Sequence, residues 1–252
     1  MSNILAQASF RTALLDILMP RRCIVCNSVL SLKEDHICAF CLADMPRTCF
    51  AGQRNNQMSG RFNALVQRGL NGKGLDRPMP YSYATSLFYY RPGTGYRDIT
   101  RRLKYHSDLS AGRYFAGMLG REMASSPLFS DVDAIVPVPL HWTRRWSRGY
   151  NQAEIIAKVL SSSLGNVRVA DILVRRRRTR TQTRLDPESK IANVSGAFRL
   201  KKGVRLSGYR HILLVDDVFT TGGTLHACYV ALKDSCPDNT RISVATLAFV
   251  GS

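Results

Sequence analysis

Acidic residues are scarce in this chain: 18 Asp and Glu stand against 36 Lys and Arg, a formal net charge of +18 over 252 residues. Such an imbalance attracts polyanions through the long-range field as well as by contact, so phosphate-bearing partners are expected. Also lacking is any apolar run near the ~18 uninterrupted residues of a membrane span, which argues against a membrane-spanning protein. The stretch ILAQASFRTALLDILMP has apolar residues at helical spacing, but Arg11 and Asp16 interrupt it, so it does not read as a signal peptide. An amphipathic helix over residues 1–20, packed on the body, and a cytoplasmic location are expected instead. Neither G-x-x-x-x-G-K-[ST] nor G-x-G-x-x-G occurs, which argues against a P-loop NTPase and an ordinary dinucleotide site. No internal repeat is visible.

Seven cysteines are present, and in a reducing compartment paired cysteines hold metal more often than they form disulfides. Cys23 and Cys26 form one C-x2-C pair, Cys38 and Cys41 another. Each pair can make a tight knuckle, and two knuckles complete a tetrahedral shell with no position open for water, which predicts a structural Zn2+. So short a module, residues 21–49, cannot fold on its own core, and the metal would supply much of its folding free energy. His36 reads as a surface histidine; Cys49, Cys228 and Cys236 lack a partner at useful spacing. Residues 50–80 are polar and Gly-rich with no clear period, and read as a linker or a degenerate second module.

Helix and strand signals then alternate over residues 81–252. Strand patterns at SLFYYR, DAIVPVP, VRVADILV, HILLVDD and RISVATLAFV are separated by helical ones such as NQAEIIAKVLSSSLG and TLHACYVALKD. This predicts an α/β fold: a mainly parallel sheet with flanking helices, plus the small zinc-ribbon-like module. Ligands of such sheets bind at the carboxyl ends of the strands. At one such end stands ILLVDDVFTTGGT. Thr220, Thr221, Gly222, Gly223 and Thr224 open a helix, where glycines admit close backbone approach and amides and hydroxyls can cradle a monophosphate. Asp216 and Asp217 would repel bare phosphate but can accept from sugar hydroxyls. Together they point to a ribose 5-phosphate. Between His141 and Lys190 lies much of the basic excess, including the run Arg175 to Arg178, readable either as a solvated face or as phosphate contacts.

V-D-D-x-x-T-T-G-x-T after an apolar strand resembles the phosphoribosyl pyrophosphate (PRPP) signature of type I phosphoribosyltransferases. Taken with the four-cysteine module, with VPVPLHWTRRWSRGYNQA and with RTRTQTRLDPESKIANVSGAF, the chain resembles the ComF family, associated with DNA uptake in natural competence. The resemblance implies the type I phosphoribosyltransferase fold for residues 81–252. It implies PRPP as ligand, with Asp216 and Asp217 at the ribose as catalytic candidates and residues 220–224 at the 5'-phosphate. Pyrophosphate would meet His141, Arg144, Arg145 and Arg148, and Mg2+ would accompany PRPP through ligand oxygens. Arg177, Thr179 and Gln182 fall in the flexible loop, where Lys190 replaces a common arginine and loses its planar fork. Lys104, in a family-like L-K-Y segment, is either a phosphate contact or a solvated lysine. Thr220 stands where purine-salvage enzymes carry an aspartate, which disfavours that substrate class. Cys49-Phe-Ala-Gly52 reads as a remnant of a second knuckle set.

Two functions follow. The first is a PRPP-binding protein acting with single-stranded DNA or its import machinery, with Trp142, Trp146 and, more weakly, Tyr150 as stacking candidates. The second is an active transferase moving ribose 5-phosphate to a small nitrogenous acceptor, without DNA.

Overall fold

The computed structural model describes residues 20–72, 74, 79–105, 108–140, 149–176 and 196–251. The expected N-terminal helix, the pyrophosphate candidates His141, Arg144, Arg145 and Arg148, both tryptophans, and the loop candidates Arg177, Thr179, Gln182 and Lys190 lie outside the described residues.

Five strands form one parallel sheet: β1 (Ala84–Tyr89), β2 (Ala134–Pro137), β3 (Arg168–Val169), β6 (His211–Phe219) and β7 (Arg241–Phe249), in the order β1-β7-β6-β2-β3. Ile212 to Val215 of β6 are fully buried, as the centre of a parallel sheet covered on both faces requires. The VRVADILV region divides. Its first part joins the sheet as β3, while Leu173–Arg175 (β4) leaves it and pairs antiparallel with Phe198–Leu200 (β5).

Helices cover both faces. On one side lie α3 (Arg97–Tyr105), α4 (Leu109–Ala124) and α5 (Gln152–Ser163), packed on Leu213, Val215, Ala245 and Leu247. On the other lie α2 (Gln57–Gly72) and α6 (Gly223–Lys233), packed on Ile212, Leu214, Ile242 and Val244. Helix α2 occupies ground where the sequence showed no clear period. Its residues Met58, Phe62, Leu65, Val66 and Leu70 are buried at helical spacing. Asn56 and Ser59 cap its start reciprocally, each side-chain oxygen accepting from the other's amide at 2.9 Å.

The four-cysteine module, with the short helix α1 (Ala39–Ala43), shares the core of the sheet rather than hanging from it. The Tyr96 hydroxyl donates to the Cys41 carbonyl at 2.8 Å, and the His36 ring hydrogen-bonds Ser110 at 3.1 Å. A Cβ on Gly95 would lie 1.9 Å from the Val25 carbonyl oxygen, so only glycine permits this approach. Far from the carboxyl ends of the strands, buried His211 links Asp131 at 2.6 Å to Ser243 at 2.7 Å. Ser243 is wholly buried, so this Asp–His–Ser chain tethers β6 to β7 and presents no nucleophile.

Candidate ribose-phosphate site and metal cluster

The site follows from the winding of the sheet. The chain leaves β6 for α6 on one face and leaves β2 for α5 on the other, and β2 and β6 are neighbours. Their carboxyl ends therefore flank a topological switch point, where a crevice opens. The Val138 amide donates to the Val215 carbonyl at 2.9 Å, and Asn151 Nδ2 to the Val138 carbonyl at 3.0 Å. Val138 and Asn151, which flank the arginine-rich segment in the sequence, thus lie beside the end of β6.

Strand β6 runs on through the aspartates to Phe219, past the point where the sequence pattern ends it. Alternation along the strand divides the pair. Asp216 continues the face of Ile212 and Leu214, toward α6, while Asp217 continues that of Leu213 and Val215, where Lys104 Nζ of α3 meets its Oδ2 at 3.1 Å. Lys104 is thus paired with a carboxylate of the candidate site, which is neither the phosphate contact nor the solvated lysine that its sequence left open. Burial and the adjacent Asp217 carboxylate raise Asp216 to about 7, with Lys104 and Arg175 pulling the other way. Asp216 Oδ1 accepts from the Asp217 amide at 2.8 Å. The pull of Arg175, the last residue of β4 and paired with Phe198 of β5, ties that hairpin electrostatically to the site. No local sequence signal marks the pairing of residues so far apart in the chain.

Beyond Phe219 the chain turns through Thr220, Thr221 and Gly222 into α6. Gly222 is the N-cap, left-handed at φ 79°, and brings no capping side chain, while Thr221 Oγ1 accepts from the Gly223 amide only at a long 3.5 Å. The opening amides of an eleven-residue helix thus face the turn with the positive end of its dipole behind them. Asp216, Val218, Phe219 and residues 220–225 enclose a pocket of about 20 Å³, open to solvent. A Cβ on Gly222 would meet Phe219 at 2.6 Å and Leu65 at 3.0 Å, so packing and backbone angle both demand glycine. The turn is a concave donor surface for an anion, beside carboxylates suited to hydroxyl donors.

At the other functional locus, the ligand atoms of Cys23, Cys26, Cys38 and Cys41 all lie within 4.8 Å of one another. Cys26 and Cys38 Sγ are 3.7 Å apart, close to the ~3.8 Å edge of a tetrahedron with bonds of ~2.3 Å. Amides of Val25 and Cys38 donate to Cys23 Sγ, and that of Cys41 to Cys38 Sγ, each at 3.4 Å. Sulfurs accepting amide hydrogens suit the thiolate form that a metal requires, and hydrogen bonding by Ser28 lowers Cys26 to about 6. The residues fit a metal ion with a closed four-sulfur shell. His36 is turned to Ser110 and Tyr114 instead. Cys49 is exposed at φ 54° ahead of a 3-10 turn. Tyr150 directs its hydroxyl to the Leu103 carbonyl.

Known proteins agree with this geometry. The phosphoribosyl transferase domain family matches residues 147–252. Competence protein F of Haemophilus influenzae is 27% identical over 208 residues, 81% of this chain and 87% of its own. DNA utilization protein YhgH of Escherichia coli K12 is 30% identical over 157 residues, 61% of this chain and 67% of its own. Among solved structures, adenine phosphoribosyltransferase of Leishmania tarentolae is similar at 14% identity over 70% of this chain and 80% of its own, with a TM-score of 0.31, too distant to carry an argument. The parallel sheet and the family match over its carboxyl-terminal part define a protein built on a phosphoribosyltransferase domain. Within that class, the chain belongs to the ComF family of competence and DNA utilization proteins.

Proposed function

We propose that the β6–α6 turn binds the 5'-phosphate of PRPP, that Asp216 and Asp217 take its ribose hydroxyls, and that the protein serves the handling of single-stranded DNA during uptake. One observation carries the ligand: the helix start at Gly222 lacks a side-chain cap and borders a pocket shared with Asp216. Segment 141–148, which follows β2 in the sequence, holds His141, Arg144, Arg145 and Arg148, cationic donors suited to the pyrophosphate. Arg177, Thr179 and Gln182, in the sequence that joins β4 to β5, are the candidate loop residues over the ligand. Magnesium, when bound with the ligand, neutralises charge on the departing pyrophosphate. The DNA role draws support from what its relatives are named for, competence and DNA utilization, and from the net charge of +18. In the cysteine cluster the ion is zinc, whose preference for four thiolates in a closed shell matches the donor set.

Calorimetric titration with PRPP and Mg2+ tests the ligand: one-site binding in the wild type, lost in the Asp216→Asn, Asp217→Asn double variant, is expected. For DNA, single-strand binding across a salt series should weaken steeply with salt, because releasing condensed counterions gains less entropy as the bulk salt rises. Salt-independent or absent binding would remove the nucleic-acid role.

A second reading is favoured by the Asp216 carboxyl, which exchanges its proton near neutral pH. Such a group can take a proton from a nitrogenous acceptor as it attacks C1 of the ribose. Pyrophosphate release with candidate acceptors tests turnover.

A further inference from the structure

A cavity far larger than the one at the β6–α6 turn opens beside it. It has a volume of about 790 Å³ and lies on the outer face of α6, walled by α2 on one side and β5 on the other. Small residues leave the space: Gly223, Ala227 and Ala231 of α6 line it, and Gly69 of α2 gives room to the His226 ring, which also lines it. Leu65, Phe198, Leu200 and Val230 give it an apolar floor, while exposed Arg68 and Arg199 stand at its walls against the one carboxylate of Asp234. Its size falls within the ~300–1,000 Å³ of small-molecule sites, and a mostly apolar lining with a few charged groups is the composition such sites share.

We infer that this cavity binds a small ligand with a flat apolar body and one anionic group, at a site separate from the ribose-phosphate turn. The apolar floor takes the body, and Arg68 and Arg199 outweigh Asp234 in choosing an anion. Two structural links connect the cavity to the turn. Gly223 lines both, and Leu65, which lines the cavity, sits 3.0 Å from where a Cβ on Gly222 would be. An occupant pressing on Leu65 or on the first turn of α6 therefore bears on the backbone that shapes the phosphate cradle. The two sites are energetically coupled, and this coupling alone rests on the PRPP reading.

Titration with 1-naphthoate, which carries no phosphate for the turn to hold, tests the site. Saturable one-to-one binding is expected, weakened about tenfold or more by Ala231→Trp, which fills the cavity. The Arg68→Ala, Arg199→Ala pair should weaken 1-naphthoate by about tenfold and leave neutral 1-naphthalenemethanol unchanged. No saturation, or equal affinity in Ala231→Trp, overturns the site. Equal loss for the charged and neutral probes overturns the ligand class. Should Ala231→Trp fail to fold, hydrogen exchange of the wild type decides: probe-dependent protection of residues 223–235 supports the site, and its absence overturns it. Saturating 1-naphthoate should also shift the PRPP dissociation constant by about threefold or more, and PRPP should shift that of 1-naphthoate equally. An unchanged constant overturns the coupling. If PRPP fails to bind at all, the ribose-phosphate reading falls while the naphthoate titration still decides the cavity.

Discussion

Asp216 carries the sharpest consequence at the scale of single residues. Its folded pKa of about 7 lies above the ~3.9 of an unfolded aspartate, so folding favours the protonated form. The sign follows: its contribution to stability is complete below about pH 4 and is lost as pH rises through about 7. Asp216→Asn should therefore stabilise the ligand-free protein by about 2 kcal/mol at pH 8 and by much less at pH 4, read as denaturant midpoints. Ligand binding should run the other way. If ionised Asp216 accepts a ribose hydroxyl, PRPP affinity should fall about tenfold per pH unit below about 7, and calorimetry at pH 6 and 8 checks it. Lys233 offers an independent test. It is 4% exposed and donates to the carbonyls of Pro237, Asp238 and Thr240 at 2.8 to 3.1 Å. Lys233→Met leaves those acceptors unmet and should cost about 3 kcal/mol in chemical denaturation. Neither the Asp216 shift nor the Lys233 cage was legible in the sequence, because each depends on groups that folding gathers around one side chain.

Elements were legible where apolar runs met turn chemistry. Strand β6, its glycine turn and α6 stand in the sequence almost as they stand in the fold, since a buried parallel strand needs an unbroken apolar run and a left-handed N-cap needs glycine. Helix α2 was not legible. Its apolar positions keep helical spacing from Met58 to Leu70, but Gly60, Gly69, Gly72 and the polar residues between them hide the stripe. Lys104 was only half legible: its segment was noted, yet the salt bridge to Asp217 joins α3 to β6. Gly222→Ala should distort the turn, because the new methyl meets Phe219 and Leu65 at a left-handed backbone angle. A loss of PRPP affinity of about tenfold or more is expected, with a stability cost of about 1–3 kcal/mol, measured by calorimetry and thermal melting. At the cysteine module, removal of the metal should reach beyond the knuckles, since Cys23, Ile24, Ile37 and Cys41 belong to the same core as Leu103, Phe115 and Leu213. Chelation should lower the melting temperature of the whole chain by about 5 °C or more. An unchanged melt would show that the module folds without metal.

Across the molecule, two features of charge and topology converge. The net charge of +18 makes the chain cationic, and the neighbouring of β2 and β6 gives it a switch point at the carboxyl ends of its strands. Composition announced the first, and strand order had to be seen for the second, because sequence alone does not say that β2 lies beside β6. No described helix is long and apolar enough to cross a membrane. The metal module is built into one edge of the sheet's core, so metal loss and phosphate binding can be read on the same cooperative unit. The most direct test of the account is calorimetric titration of the zinc-loaded protein with PRPP and Mg2+ at pH 8, beside the Asp216→Asn, Asp217→Asn variant. The account predicts one saturable site in the wild type and none in a variant that melts no lower. Equal binding by both proteins, or none by the wild type, would contradict it.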